Sequence, residues 1–429
     1  MKTLFKNARI LKMNGEDIFV GNLLVSDNKI SYIGKELPKG NFDKVINCHQ
    51  NVLMPGFKNA HTHSAMSFLR SEADDKTLED WLFNYIFPRE ALLKENDIYY
   101  LSMISFMEYL TSGVTACFDM YLNNFEFAKA CKDFGMRGVI CFVKNFDENY
   151  TYEDGLRDYK YYNNFDELVS MKLGAHSVYT CSEESLKALS RLAHELKAPT
   201  FAHSSETSLE VLNCIKAHGM TPTEYMNSLG LYDYGGGGYH LVHLTDNDLK
   251  ILKEKKVNVI SCPCSNSKLV SGIAPISKMQ EYGLNIALGT DGPSSNNSLD
   301  MFREMYLCSV LQKLKENDPT KAKAKDILKM ATVNGAIAMG LDNADILEEG
   351  KLADIIMLDL DRPSMQPITH IEENIVYSGS KDIVKMTMIN GKILYMDNKF
   401  YLDIDKDKIY EYGQNVVNRI RKELENAKK

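Results

Sequence analysis

Two histidines separated by a single residue, His61 and His63, are the strongest indication of chemistry in this sequence of 429 residues. They follow an apolar run over residues 51–57. Alternate residues of an extended strand point to the same side, so the two imidazoles project together, as two ligands of one metal ion must. An isolated pair of this kind is weak evidence, because it also occurs by chance and in surface segments.

Three further groups strengthen the interpretation, and each stands at the end of its own apolar run. They are His203 with Glu206, His240, and Asp291. Neutral imidazoles combined with one carboxylate suit a borderline divalent cation such as zinc. The sequence therefore predicts a catalytic metal site.

The composition is typical of a globular enzyme, with 44% apolar and 25% charged residues. A formal net charge of −8 argues against nucleic acid or an anionic membrane as a partner. The N-terminus lacks the apolar core of a signal peptide, and no run approaches the roughly 18 apolar residues of a membrane span. Nine scattered cysteines do not resemble a secreted disulfide framework. We expect a cytoplasmic enzyme with a small-molecule substrate; a homo-oligomer stays an open alternative.

Short apolar segments alternate with helical patterns, such as 98–111 and 185–196, through the middle of the chain. Eight strand–helix units in about 280 residues are the size of an α/β fold of the (β/α)8 TIM-barrel type. The working residues of such barrels lie at the carboxyl ends of the strands. The predicted strands are 52–60, 114–120, 138–143, 171–175, 199–202, 239–242, 257–261 and 285–288.

Both chain ends have a different pattern of short alternating runs separated by turn residues, which favours an antiparallel sheet with one solvated face. We expect residues 1–56 and 341–404 to form one composite β-sandwich beside a barrel of residues 57–340. Segments near 353–358 and 385–394 would complete its sheet. Residues 405–429 are expected to form a terminal helix.

The order of four motifs resembles the amidohydrolase superfamily. They are Pro-Gly-Phe-Lys-Asn-Ala-His-Thr-His at 55–63, His-Ser-Ser-Glu at 203–206, His-Leu-Val-His at 240–243 and Gly-Thr-Asp-Gly at 289–292. Over nearly the whole chain the sequence also resembles the branch that deaminates 5′-methylthioadenosine and S-adenosylhomocysteine. The segments 77–82 and 265–269 carry part of that resemblance.

The resemblance implies one divalent ion per chain, with Zn²⁺ expected. Its ligands would be His61, His63, His203 and Asp291. Binuclear members of the superfamily have a modified lysine at the end of the fourth strand. Here Lys172 lies near the start of that segment and His176 near its end, which favours a single ion.

The resemblance also implies the catalytic roles in a hydrolytic deamination that turns an adenosine-type nucleoside into an inosine-type product and ammonia. His240 would orient the attacking water, with His243 in a supporting position. Glu206 would carry a proton to the ring nitrogen. Asp291 would pass a second proton to the departing amine.

Substrate binding rests on four further residues. Glu90 would accept hydrogen bonds from the ribose hydroxyls, and His176 would contact the nucleoside. Arg137 and Arg157 are candidates to bind the carboxylate of a homocysteine tail. The tyrosine- and aspartate-rich segment 145–162 leaves tail specificity open.

Two alternative functions are distinguishable from the first. One is a related hydrolase that deaminates or dechlorinates a free heterocycle, such as guanine, a pterin, a pyrimidine or a triazine. The other is a non-catalytic relative, which is disfavoured because every expected ligand and the proton carrier Glu206 are present.

Overall fold

The computed structural model describes residues 1–142 and 144–427 of the chain. Its strands are β1 Lys2–Ile10, β2 Phe19–Ser26, β3 Lys29–Gly34, β4 Lys44–Asn47, β5 Val52–Pro55, β6 Phe57–Thr62, β7 Val114–Asp119, β8 Arg137–Cys141, β9 Val169–Ser177, β10 Thr200–Ser204, β11 Gly236–His240, β12 Val257–Ser261, β13 Ile286–Leu288, β14 Ile355–Leu358, β15 Val384–Ile389, β16 Lys392–Met396 and β17 Lys399–Phe400.

The α-helices fill most of the connections between these strands. They are α1 Leu78–Asp80, α2 Phe87–Glu90, α3 Asp97–Thr111, α4 Asn124–Phe134, α5 Tyr152–Tyr162, α6 Glu183–Leu196, α7 Ser208–His218, α8 Pro222–Ser228, α9 Asp246–Glu254, α10 Pro263–Lys268, α11 Ile276–Glu281, α12 Met301–Glu316, α13 Ala324–Met330, α14 Val333–Met339, α15 Ile371–Tyr377 and α16 Lys406–Ala427. One turn of π-helix, Trp81–Ile86, joins α1 to α2. Short 3₁₀ turns are Ser64–Leu69, Pro363–Met365 and Lys381–Ile383.

Strands β6 to β13 form the predicted barrel. Each pairs in parallel with the next strand along the chain. At the seam between β13 and β6, the amide of Asp291 donates to the carbonyl of His61 over 3.0 Å. The interior is packed with large side chains, among them Phe118, Phe201 and Tyr239. The barrel prediction is confirmed.

Local sequence explains the helix ends, as α6 illustrates. The hydroxyl of Ser182 accepts a hydrogen bond from the amide of Ser185 and caps the first turn. Leu186, Leu189 and Leu192 then bury one face at helical spacing. Lys197 ends the helix in the left-handed conformation.

Two predicted strand bounds differ from the structure for reasons that involve glycine. The segment 52–60 is two strands, β5 and β6, because the chain passes from one sheet to another at Gly56. A Cβ atom there would lie 2.1 Å from the Thr115 side chain. Strand β11 begins at Gly236, earlier than predicted, because its glycines have no side-chain pattern to read. The predicted segment 138–143 corresponds to β8, and Val143 lies outside the described residues.

The two chain ends form one nine-stranded mixed sheet around a second apolar cluster that includes Phe5, Ile355 and Met386. The predicted strand segment 385–394 falls in the hairpin of β15 and β16 and is not a single strand. Its turn at Asn390-Gly391 has φ angles of 51° and 77°, as a tight hairpin requires. The proposed division of the chain near residues 56, 340 and 404 stays a prediction.

The terminal helix α16 packs against α3, and residues 428–429 of the predicted segment lie outside the described residues. Within 1–142 and 144–427, no helix combines the length and apolar character needed to cross a membrane.

Candidate active site

The carboxyl ends of the barrel strands bring together three imidazoles and a carboxylate. His61 lies near the end of β6, His203 near the end of β10, and His240 is the last residue of β11. Asp291 follows β13. One ligand atom from each of the four lies within 4.8 Å of all the others. His61 Nε2 is 3.1 Å from His203 Nε2 and 3.5 Å from Asp291 Oδ1. Nitrogen ligands of a tetrahedral zinc ion lie roughly 3.3–3.4 Å apart, so these atoms are close to the spacing that a shared ion requires.

His63 lies beside this group, with Nε2 at 3.1 Å from Asp291 Oδ1. His61, His63, His203, His240 and Asp291 thus form a ring of five residues around one point. This ring offers one donor more than four-coordinate zinc takes from a protein. The mutual distances group His240 with the ligands, whereas the sequence resemblance favours His63. The assignment of His63 as a ligand and of His240 as a catalytic group stays a prediction.

Hydrogen bonds behind the imidazoles fix which ring nitrogen carries the proton. His63 Nδ1 is 2.5 Å from the carbonyl oxygen of Met120, and His203 Nδ1 is 2.8 Å from that of His176. Carbonyl oxygens only accept, so each Nδ1 must donate and each Nε2 keeps its lone pair. His240 Nδ1 faces the side-chain oxygen of Asn266 at 2.8 Å in the same way. The donor set fits a divalent cation.

Asp291 is held in the orientation that a ligand needs. Its Oδ2 atom accepts hydrogen bonds from Ser265 Oγ at 2.6 Å and Ser295 Oγ at 2.7 Å, which leaves Oδ1 facing the histidines. Burial alone would raise the pKa of this carboxyl, but the adjacent imidazoles of His61 and His63 hold the pKa well below its ordinary value. The sequence did not predict the roles of the two serines, although Ser265 lies in the segment 265–269, which carries part of the family resemblance.

Glu206 lies on the rim of the ring, with Oε2 3.7 Å from His240 Nε2. Ser271 Oγ donates to its Oε1 atom over 3.1 Å, and the Ser271 carbonyl accepts from His243 Nε2 at 2.7 Å. His243 therefore supports the loop that holds Glu206. Burial raises the pKa of the Glu206 carboxyl.

A second glutamate, Glu210, supports Glu206 from the first turn of α7. Its carboxylate accepts from the backbone amides of Ser205 at 3.0 Å and Glu206 at 2.7 Å. Burial raises the pKa of Glu210 to about 7. Sequence reasoning missed this residue; the available signal was an acidic side chain in the first turn of a helix that begins next to Glu206.

The ring forms the floor of a cavity with a volume of about 100 Å³. Glu90 and His176 line it, as does Trp81, the single tryptophan of the chain. Glu90 is 8% exposed, and its Oε1 atom has no hydrogen-bond partner among the described residues. Burial raises the pKa of Glu90. His176 Nδ1 lies 2.8 Å from Thr180 Oγ1.

The structure corrects the prediction that Arg137 binds a substrate carboxylate. Arg137 begins β8, at the amino end of the barrel. Its Nε and Nη2 atoms donate to the two oxygens of Asp354 over 2.6 and 3.0 Å. Both side chains are buried, so this guanidinium is committed to a structural ion pair away from the cavity.

Arg157 is also not part of the site. It lies on α5 with its side chain 65% exposed, and it pairs with Asp154 and Asp158 of the same helix. It does not line the cavity. Lys172 lies toward the amino end of β9 and lines a different cavity, with Gly236 and Ile337, as expected for a lysine outside the metal site.

The fold and site together define a metal-dependent hydrolase of the barrel type, and comparison with known proteins specifies the family. The model of the Amidohydrolase family matches residues 52–394. The 5-methylthioadenosine/S-adenosylhomocysteine deaminase of Thermoanaerobacter pseudethanolicus is 37% identical over 98% of this chain and 100% of its own length. The 5′-deoxyadenosine deaminase of Methanosarcina acetivorans is 37% identical over 97% of this chain and 98% of its own.

Solved structures agree. An adenosine deaminase from Xanthomonas campestris with bound zinc superimposes with a TM-score of 0.91 at 29% identity, covering 98% of both chains. A zinc-containing atrazine chlorohydrolase from Arthrobacter aurescens has a TM-score of 0.88 at 19% identity, covering 97% of this chain and 100% of its own; it shows similarity of fold alone. The chain belongs to the amidohydrolase family, whose members depend on metal ions.

Proposed function

We propose that this amidohydrolase deaminates an adenosine-type nucleoside by hydrolysis, giving an inosine-type product and ammonia. The observation that carries the proposal is the pairing of two acidic groups in one cavity. Glu206 stands beside the histidine and aspartate ring. Glu90, whose buried Oε1 atom has no hydrogen-bond partner among the described residues, lines the same space. The first group suits proton transfer to a heterocycle and the second suits a ribose. The names of the relatives at 37% identity support the same substrate class.

One divalent ion, expected to be Zn²⁺, would be held by His61, His63, His203 and Asp291. When bound, it would lower the pKa of a water molecule toward neutrality and so prepare it for attack. The zinc in the related adenosine deaminase structure supports this choice of metal. The position of His176 and the remoteness of Lys172 support a single ion.

The residues of the chain would carry the protons. Glu206 takes one from the attacking water and delivers it to the ring nitrogen next to the reacting carbon, which makes that carbon electrophilic. His240 Nε2 lies on the same side as Glu206 and would orient the water. Asp291 accepts the second proton and passes it to the amine, which leaves as ammonia. Water thus supplies one oxygen to the ring and two protons to the products.

Glu90 would bind the sugar, because one carboxylate can accept from the 2′ and 3′ hydroxyls together. A buried carboxylate oxygen without a partner is costly unless a ligand satisfies it. His176 would contact the nucleoside from the side of β9.

An ammonia-release assay tests the proposal with adenosine, 5′-methylthioadenosine, S-adenosylhomocysteine, guanine and cytosine. Turnover of at least one adenosine nucleoside, without turnover of the free bases, is the expected result. Turnover of a free base alone would replace the proposal with the heterocycle hydrolase. Elemental analysis should give one tightly bound divalent metal per chain; two, or none after metal-supplemented expression, would contradict the metal assignment.

A further inference from the structure

Building on the proposed function, we infer that the site selects adenosine nucleosides with an uncharged, apolar 5′ substituent and discriminates against a free amino-acid tail. The favoured substrates would be of the 5′-methylthio and 5′-deoxy kind. S-Adenosylhomocysteine would be a poor substrate.

Once the base and the sugar are placed, part of the cavity remains for the 5′ substituent. The base must reach the ring of histidines, and the ribose takes Glu90. The 5′ substituent therefore meets the rest of the lining. Apart from the phenols of Tyr121 and Tyr179 and the indole N–H of Trp81, that lining is apolar, and it includes Leu78, Leu82, Phe87, Met120, Leu122 and Leu269.

The charge of the lining works against an anionic tail. Among the described residues that line the cavity, none is a lysine or arginine, while Glu90, Glu206 and Asp291 are acidic. A homocysteine tail carries both an ammonium and a carboxylate. Its carboxylate would leave water for an apolar wall without a cation to pair with, and burial of an unpaired charge is strongly unfavourable.

Cations next to the lining residues in sequence are already engaged. Arg89 precedes Glu90, but its Nη1 donates to the carbonyl of Tyr85 over 2.9 Å and its guanidinium lies over the Tyr85 ring. Lys268 precedes Leu269, but its Nζ pairs with Asp74 at 2.6 Å. With Arg137 and Arg157 paired elsewhere, the chain offers no preformed partner for a carboxylate within the described part of this site.

Steady-state kinetics with the metal-loaded full chain test the inference. A buried polar group without a partner costs about 1–3 kcal/mol, and more when it is charged, so kcat/KM should be at least about tenfold lower for S-adenosylhomocysteine than for 5′-methylthioadenosine. 5′-Deoxyadenosine should be used within about tenfold of the methylthio compound. Equal or better use of S-adenosylhomocysteine would overturn the inference and leave the deaminase proposal intact. Failure to turn over any adenosine nucleoside would overturn both.

5′-Butylthioadenosine separates charge from size, because its tail resembles that of homocysteine in length but is uncharged. It should be used like the methylthio compound. If it is as poor as S-adenosylhomocysteine, tail length rather than charge limits the site, and the inference is wrong.

A matched pair of variants provides the converse test. Leu122 lines the cavity and is 48% exposed, so a longer side chain can be accommodated. Leu122→Arg should raise the ratio of kcat/KM for S-adenosylhomocysteine over 5′-methylthioadenosine at least about tenfold. Leu122→Met adds no charge and should keep the parental ratio. Equal ratios in the two variants would contradict the electrostatic argument.

Discussion

Glu206 combines three properties at the scale of a single residue: burial, a serine hydrogen bond and proximity to His240. Glu206→Gln keeps the shape of the side chain but cannot carry a proton. We expect the variant to bind metal normally and to lose about 10²–10⁴-fold in kcat, the usual contribution of general acid–base catalysis. Metal content and steady-state rates check this. A loss well below tenfold would place the proton carrier elsewhere.

Glu90 is the residue on which nucleoside recognition depends. In Glu90→Ala the ribose hydroxyls lose their charged acceptor, so kcat/KM for 5′-methylthioadenosine should fall about ten- to a hundredfold for each hydrogen bond lost. Activity toward any substrate without a ribose should hardly change. If adenine and its nucleosides are both deaminated and the variant matches the parent on both, the nucleoside interpretation is excluded.

At the scale of elements, the carboxyl ends of β10 and β11 and the start of α7 act as one unit. Ser205 has a φ of 53° and His240 a φ of 71°, conformations that are uncommon outside glycine. Glu210 stabilises this turn because it accepts from two consecutive backbone amides. Helix α7 thereby fixes the position of Glu206 without contacting the substrate itself.

Glu210→Gln tests this positioning role. The amide can accept from one backbone N–H but presents its own donor to the other, and a buried unsatisfied group costs about 1–3 kcal/mol. We expect kcat to fall roughly tenfold while KM and metal content stay near parental values. Glu254→Gln, an exposed change on α9, is the matched control. A fall in metal content with no change in kcat per bound metal would show that Glu210 supports the ligands rather than Glu206.

At the scale of the whole molecule, a buried ion pair joins the barrel to the nine-stranded sheet. Arg137 starts β8, and Asp354 immediately precedes β14. Asp354 also accepts from the backbone amide of Asn390 at 2.8 Å. Burial would raise the pKa of the Asp354 carboxyl, but Arg137 outweighs that effect and holds the pKa below its ordinary value. The pair makes the two layers interdependent.

Asp354→Asn should lower the free energy of unfolding by about 3–5 kcal/mol at pH 7, because it leaves a buried guanidinium without its counter-charge. The pKa of Asp354 is lower in the folded protein than the value of about 3.9 in the unfolded chain. The charged carboxylate therefore stabilises the fold fully at pH values above the unfolded-state pKa, and this stabilisation is lost as the pH falls through the folded-state pKa. The difference from the parent should therefore be constant near neutrality and shrink below about pH 4. Urea unfolding at several pH values measures it, with the exposed Asp403→Asn as control. A difference that stays constant down to pH 3 would contradict the linkage.

The sequence by itself determined the barrel and predicted the members of the metal site. Both depend on local rules: the alternation of strands and helices, and the clustering of side chains at the carboxyl ends of parallel strands. His61 and His63 could be predicted as ligands because they follow one apolar segment, and His203 and Asp291 because each follows another; the family resemblance added the roles of Glu206 and Glu90.

Only the tertiary structure decided what depends on partners far apart in the chain. The sequence alone allowed Arg137 to be a substrate ligand. In the structure its guanidinium donates two hydrogen bonds to Asp354, which lies 217 residues later in the chain. Ser265 and Ser295 became supports of Asp291 because two loops after different strands meet at one point. The apolar wall of the cavity, which has no lysine or arginine among its described residues, likewise exists only when residues from several loops are assembled. Charge pairing and desolvation act through space, so a one-dimensional pattern cannot show which polar group finds which partner.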